Sequence, residues 1–157
     1  MNHAQDARAT IIRGALVMTD CLFCRIVARE VSARLVFEDE ISLAFLDHRP
    51  VFPGHCLLIP KIHYETLTDL PEDLIGPFFK RAQLLARAVE SAMEAHGTFV
   101  AMNNRVSQSV PHLHTHIVPR RRKDGLKGFF WPRYPYPDDE AAETVQLAIR
   151  QALAALA

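Results

Sequence analysis

Gln108-Ser109-Val110-Pro111-His112-Leu113-His114-Thr115-His116-Ile117-Val118-Pro119-Arg120 packs three of the chain's eight histidines into five positions, strictly alternating. Side chains two apart on an extended strand share a face, roughly 7 Å from each other along it. Val110, Leu113, Thr115, Ile117 and Val118 are the β-branched or apolar residues that strands use. The stretch predicts a strand over residues 112–118 with three imidazoles on one face and apolar side chains on the other. Imidazole changes charge near neutrality and serves as nucleophile, acid, base or metal ligand. A row of three is chemistry rather than packing.

The surroundings supply the rest of a sheet. Residues 22–29 fit a short helix, and residues 34–38 and 43–46 read as two strands across the turn-like Asp39-Glu40. Cys56–Ile59, bounded by Pro53-Gly54 and Pro60, is a third strand, and Thr98–Met102 another. Between them Leu74, Phe78, Ala82, Leu85, Val89 and Met93 recur at steps of three and four, which predicts a helix from Pro71 to about His96 with Gly97 as its stop. Gly76-Pro77 should break or kink it near its start. A second helix opens at Asp138-Asp139 with Val145, Ile149, Leu153 and Leu156 on one stripe. The fold class is α+β: a mainly antiparallel five-stranded sheet, one long central helix and a C-terminal helix.

The chain's 157 residues suit one domain, 18–157, with a helical tail over about 138–157. Met18-Thr19-Asp20 looks like a natural beginning, so residues 1–17 read as an extension, disordered or a misassigned start. Eighteen basic and eighteen acidic residues balance, which argues against a protein built to coat nucleic acid. No apolar run reaches the roughly 18 residues of a membrane span, and the start lacks the features of a signal peptide. Three cysteines form no secreted disulfide framework, so a cytoplasmic protein with reduced thiols is expected.

A second stretch, Pro53-Gly54-His55-Cys56-Leu57-Leu58-Ile59-Pro60-Lys61-Ile62-His63, sets a histidine at the entrance of a strand and another just past its end. With Asp47 upstream and the histidine strand downstream, the arrangement resembles the histidine triad (HIT) family. Gln108, Val110, His112, His114, His116, Ile117, Val118, Pro119 and Arg120 match its signature. So do Cys-x-Phe-Cys at 21–24, Phe-Glu-Asp-Glu at 37–40, Ala-Phe-Leu-Asp at 44–47 and Asn103-Asn104.

The resemblance implies nucleotide binding and attack on an α-phosphorus by the middle histidine, His114, through a covalent nucleotidyl-imidazole. His116 would hold a non-bridging phosphate oxygen. Ser109 would help protonate the leaving group, and His55 would support the nucleophile's network. Asp47 would accept from the ribose hydroxyls, and Leu22, Phe23, Ile26, Phe37, Phe45 and Leu57 match the base pocket, although composition alone would assign them to the core. Asn103 and Gln108 belong to the loop that approaches the phosphate. No glycine-rich phosphate loop occurs.

Cys21, Cys24, His63 and His112 form a two-sulfur, two-nitrogen set suited to tetrahedral structural zinc. Cys-x-x-Cys alone also fits a redox pair. Some bacterial proteins that this chain resembles carry zinc on matching positions, the first triad histidine among them. No organic cofactor is expected. Cys56, within an apolar strand, reads as a small buried hydrophobe.

Departures from the family pattern are visible. The loop Asn103-Asn104-Arg105-Val106-Ser107-Gln108 is shorter than usual, with Ser107 where glycine is typical. Thr115 replaces an apolar residue on the face away from the histidines. Arg120-Arg121-Arg122-Lys123 reads as a solvated turn or as a basic rim drawing in a polyphosphate, with Trp131 near the active-site mouth or at a subunit contact.

The resemblance points to a hydrolase or transferase acting on a purine nucleotide conjugate of phosphoramidate or adenylate type, as a homodimer. Diadenosine polyphosphate hydrolysis or phosphorolysis is the runner-up. A zinc-stabilised binding module without turnover is the alternative from another class. A metallohydrolase using the triad as its metal site is disfavoured, because no adjacent carboxylate is present to act as base.

Overall fold

The computed structural model describes residues 9–12, 15–18, 20–126 and 135–156. It falls into two compact units, residues 1–124 and residues 125–157. Strands β1 (Ala9–Ile12) and β2 (Ala15–Met18) pair as an antiparallel hairpin that falls in the segment read from sequence as an extension and ends on Met18, the first residue of the expected domain.

The main sheet contains β3 (Leu35–Glu38), β4 (Ser42–Leu46), β5 (Cys56–Pro60), β6 (Gly97–Ala101) and β7 (Thr115–Arg120). Their spatial order is β3-β4-β5-β7-β6, every pair antiparallel, as the fold class expected. The expected strand at 112–118 begins three residues late. The His112 amide bonds the Val110 carbonyl and the Leu113 amide the Tyr64 carbonyl, so neither enters the ladder.

Alternation along the strands divides the molecule into two layers. Ala44, Cys56, Leu58, Leu113 and Ile117 face helix α2 (Glu72–Ala92), whose Phe78, Ala82, Leu85 and Val89 complete that core. Leu43, Phe45, Leu57 and Ile59 face helix α1 (Leu22–Val27), which contributes Phe23, Cys24 and Ile26. The two faces of one period-2 strand thus serve different layers.

Helix α2 runs through Pro77 without ending. The bond that proline forgoes is the one to the carbonyl of Asp73, an exposed residue. Arg81, one turn on, donates to the Pro77 carbonyl at 2.8 Å and pairs with Asp39 in the β3–β4 turn. The helix stops before the glycine expected to end it. The Glu94 and Ala95 amides bond the Ser91 and Glu90 carbonyls, a Schellman closure with Glu94 in the left-handed position at φ 49°. Gly97 instead opens β6.

In the second unit, α3 (Asp139–Leu156) starts where acidic residues predicted, with the Asp138 carboxylate accepting from the Ala141 amide at 2.8 Å. Its Val145, Ile149 and Leu156 are exposed. Leu153's side chain and Trp131 lie outside the described residues. No helix among the described residues is long and apolar enough to cross a membrane.

Thr115 is fully buried on the α2 side of β7, and its hydroxyl finds no partner among the described residues. Leaving a buried hydroxyl unpaired costs about 1–3 kcal/mol. Thr115→Val is therefore expected to raise Tm, by about 2–4 °C for each kcal/mol recovered. An unchanged or lowered midpoint in calorimetry would contradict the packing described.

Candidate active site

A cavity of about 690 Å³ opens between α1 and the end of the sheet. Leu22, Phe23, Ile26, Phe45, Asp47, Leu57, Ser109, His114 and His116 line it, nine of the residues singled out from sequence. Phe23 is the hub of its apolar wall. Its ring meets Phe45 edge-on at 5.4 Å and His114 at 5.3 Å between centroids. Phe37 lies elsewhere: its register partner is Ala44, so it packs in the α2 layer.

The turn after β4 brings Asp47 back beside His55. The Asp47 amide donates to the His55 carbonyl at 2.9 Å. Gly54 makes this possible at φ 93°, where an added Cβ would lie 2.6 Å from the Met93 side chain. The Asp47 carboxylate accepts the Arg49 amide on Oδ1 at 2.8 Å, while Oδ2 stands 3.7 Å from His55 Nδ1.

Backbone groups decide where each histidine carries its proton. His114 Nδ1 lies 2.6 Å from the His112 carbonyl, which can only accept, so Nδ1 holds the hydrogen and Nε2 keeps a free lone pair. The Val51 amide donates to His55 Nδ1 at 3.2 Å, placing that ring's hydrogen on Nε2. His55 Nε2 then donates to His116 Nδ1 at 3.0 Å, and His116 is left with an Nε2–H donor. His114 and His116, 5.0 Å apart between centroids, thus present opposite functions to one cavity.

The same rings are neutral near pH 7. Burial lowers the pKa of His114, His55 and His116, and the neighbouring His114 and His55 help bring His116 to about 4. His114 is only 3% exposed, yet it lines the cavity, so its low exposure reflects a deep position.

His112, fully buried, lies outside the cavity. Its Nε2 donates to the Pro60 carbonyl at 2.8 Å, which turns an unprotonated Nδ1 toward Cys21 Sγ at 3.4 Å and Cys24 Sγ at 3.6 Å. His63 Nδ1 is 3.3 Å from Cys24 Sγ. Zinc with ordinary sulfur and nitrogen bonds in a tetrahedron sets such donors about 3.5 Å apart, so these four residues could hold a metal. Cys21 also caps α1, and its neighbours Cys24, His112 and His63 drive its thiol pKa far down despite burial. Asp47, His55 and His116 also cluster. Their ring nitrogens are already committed to the proton relay, which leaves a cation no lone pair at the His55–His116 contact.

Asn103 and Gln108 do not line the cavity. Gln108 accepts from the Arg105 amide at 2.7 Å and donates to the Glu65 carbonyl at 2.6 Å, while Asn103 donates to the Ser107 carbonyl at 3.2 Å. Both amides brace the loop that delivers Ser109. The basic run lies away from the lining as well. Arg120 pairs with Asp124 at 2.6 Å, and Arg121 donates to the Met93 carbonyl at the end of α2. The cations on the described lining are instead Arg34 and Arg49, with the exposed His48 between Asp47 and Arg49. Sequence reading passed over both arginines, although Arg49 sits two residues from Asp47.

The HIT domain family model matches residues 28–123. "Protein hit" of Bacillus subtilis is 37% identical over 129 residues, 81% of this chain and 88% of that protein. The adenosine 5′-monophosphoramidase of Saccharomyces cerevisiae is 37% identical over 109 residues, 68% of this chain and 66% of its own length. A zinc-bound histidine triad family protein from Mycobacterium smegmatis superposes with TM-score 0.65 at 36% identity, covering 87% of this chain and 97% of that one.

The 103–108 loop stores strain. Arg105 and Ser107 occupy left-handed backbone at φ 67° and 58° without being glycine. Ser107→Gly is expected to stabilise the protein by about 0.5–1 kcal/mol in denaturant melts, and Ser107→Val to destabilise it. The reverse order would show that the loop adopts another conformation.

Proposed function

The chain belongs to the HIT domain family, and from that premise we propose that it cleaves purine nucleotide conjugates of phosphoramidate or adenylate type at the α-phosphate. The similarity to an adenosine monophosphoramidase supports this class. The observation that carries the reading is the pair of opposite tautomers facing one cavity: an acceptor nitrogen on His114 and a donor on His116.

The His114 Nε2 lone pair attacks the α-phosphorus, an Nε2–P bond forms, and the bond to the leaving group breaks with its electron pair going to that group. Ser109, a residue of the cavity wall, relays a proton from solvent to it through its hydroxyl. The resulting imidazolium is stabilised by Nδ1–H donation to the His112 carbonyl, already in place at 2.6 Å. The His116 Nε2–H donates to a non-bridging oxygen as negative charge grows, an interaction worth about 10²–10³ in rate for comparable donors. Water then cleaves the N–P bond, releasing the nucleoside monophosphate and restoring neutral His114. The apolar wall around Phe23 receives the base, and the open Oδ2 of Asp47 accepts from the ribose.

The same proposal assigns zinc to Cys21, Cys24, His63 and His112. Bound there it supplies a structural crosslink. Four protein donors leave no open position for a water. Cys21 and Cys24 flank the start of α1, which carries Phe23 and Ile26, while His112 supplies the carbonyl that orients His114.

Brief incubation with adenosine 5′-phosphoramidate, followed by denaturation and mass spectrometry, is expected to show an adenylyl adduct on His114 and none in His114→Ala. Adduct formation should hold steady through neutral pH and fall only below the ordinary histidine value of about 6.5, because protonation of a ring whose pKa is lowered removes the attacking lone pair. Absence of any adduct with slow turnover would favour a binding module. Metal analysis of the purified protein is expected to return one zinc per chain, with Cys24→Ser losing it and melting earlier. Metal-free wild-type protein of full stability would remove zinc from the proposal.

A further inference from the structure

Met93, the residue that closes α2, packs against the α2-layer core, and its side chain reaches Gly54 at the entrance of β5. Its Cγ, Sδ and Cε lie 2.6, 2.9 and 3.3 Å from where a Gly54 Cβ would stand, so the thioether fills the place of the absent side chain. The Gly54 carbonyl is held from the same layer, accepting from the Cys56 thiol at 3.4 Å. Met93 is held in its turn. Its amide bonds the Val89 carbonyl at 3.0 Å, and its carbonyl accepts from the Arg121 guanidinium. The His96 amide donates to the Arg120 carbonyl at 2.8 Å and the Arg122 amide to His96 Nδ1 at 3.1 Å. The basic run thus clamps the chain that leaves α2.

The turn on which Met93 rests is the one that assembles the ribose and histidine side of the cavity. The Asp47 amide donates to the His55 carbonyl at 2.9 Å, the His55 amide to the Phe52 carbonyl at 3.0 Å, and the Val51 amide to His55 Nδ1 at 3.2 Å. His55 Nε2 then donates to His116. Residues 48–51 are all exposed, so this turn buries little of its own and needs support from a neighbour. Gly54 receives that support on the α2 side, while His55, the next residue, lines up with His116 on the other.

We propose that Met93 is a positioning residue for the site: seated on Gly54 and pinned by Arg121, it holds the 47–55 turn shut and keeps Asp47 and His55 where the ribose and His116 need them. Met93 does not line the cavity and acts through Gly54. The inference rests on the nucleotide reading above and deepens it, giving the basic run a part as a brace. Small displacements of oriented groups are costly, up to about 10²-fold in rate for about 1 Å.

Calorimetric titration with AMP and 2′,3′-dideoxy-AMP reads the placement of Asp47, since only AMP offers it hydroxyls. Wild type is expected to favour AMP at least about tenfold, the worth of hydrogen bonds to a carboxylate. In Met93→Ala that preference should shrink at least about threefold, whereas Met93→Leu, which fills the same space, should keep it. Arg121→Gln, at an exposed position, should shrink it more mildly and serves if Met93→Ala does not fold. Gly54→Ala should lose the preference, and adding Met93→Ala should restore part of it, because the Cβ then has room while the strain at φ 93° remains. Ring-nitrogen NMR needs no nucleotide: signals of His55 and His116 should move in Met93→Ala and Arg121→Gln, and those of His63 should not. Folded variants with wild-type preference and unmoved rings would overturn the role. So would lower stability with both nucleotides weakened equally and the rings unmoved. Rings that move as expected in a protein whose wild type does not discriminate the two nucleotides, or binds neither, would uphold the brace and defeat the ribose or nucleotide reading instead.

Discussion

One carbonyl holds the chemistry in place. The His112 main-chain oxygen takes the hydrogen of His114 Nδ1 at 2.6 Å, and through that single bond the nitrogen that keeps a lone pair is defined. The ring of the same residue donates to Pro60 and faces two thiols and His63. His112 is therefore a joint between a metal-competent cluster and the histidine-lined cavity, touching both without lining the cavity. A residue whose backbone serves one site and whose ring serves another ties the two together mechanically.

The sheet makes that joint possible. Because β7 and the segment before it alternate, His112, His114 and His116 share the α1 side while Leu113, Thr115 and Ile117 fill the α2 side. The apolar α2 layer fixes the register, and a slip by one residue would bury the histidines against Phe78 and Leu85. Core packing on one face thus specifies reactive geometry on the other. The buried, neutral rings follow from the same placement, since desolvation disfavours the charged imidazole.

The site also departs from strain-free design nearby. Two non-glycine residues in left-handed backbone stand in the loop before Ser109, and its side-chain amides are committed to bracing it against residues 65–67. Residues held in sparsely populated backbone conformations persist where surrounding contacts over-determine them. Here Gln108 and Asn104 make those contacts.

Periodicity alone determined the sheet, the long helix and its buried stripe, because alternation and 3.6-residue spacing are properties of local covalent geometry. The three histidines and the Cys-x-x-Cys could likewise be picked out in one dimension, being reactive residue types in unusual spacing, whereas Asp47 was marked only by the resemblance to a family pattern. What tertiary structure alone decided was the division of labour among them. Which histidine nitrogen holds a proton depends on the Val51 amide, the Pro60 carbonyl and the His112 carbonyl, and every residue carries the same backbone groups, so no sequence signal marks them. Phe37 fell to the core and Gln108 to a loop brace because strand register and chain crossings set their neighbours. Arg34 and Arg49, fifteen positions apart in sequence, became cavity neighbours only when β3 paired with β4, because hydrogen bonding between strands, and not sequence proximity, brings Arg34 beside Leu46.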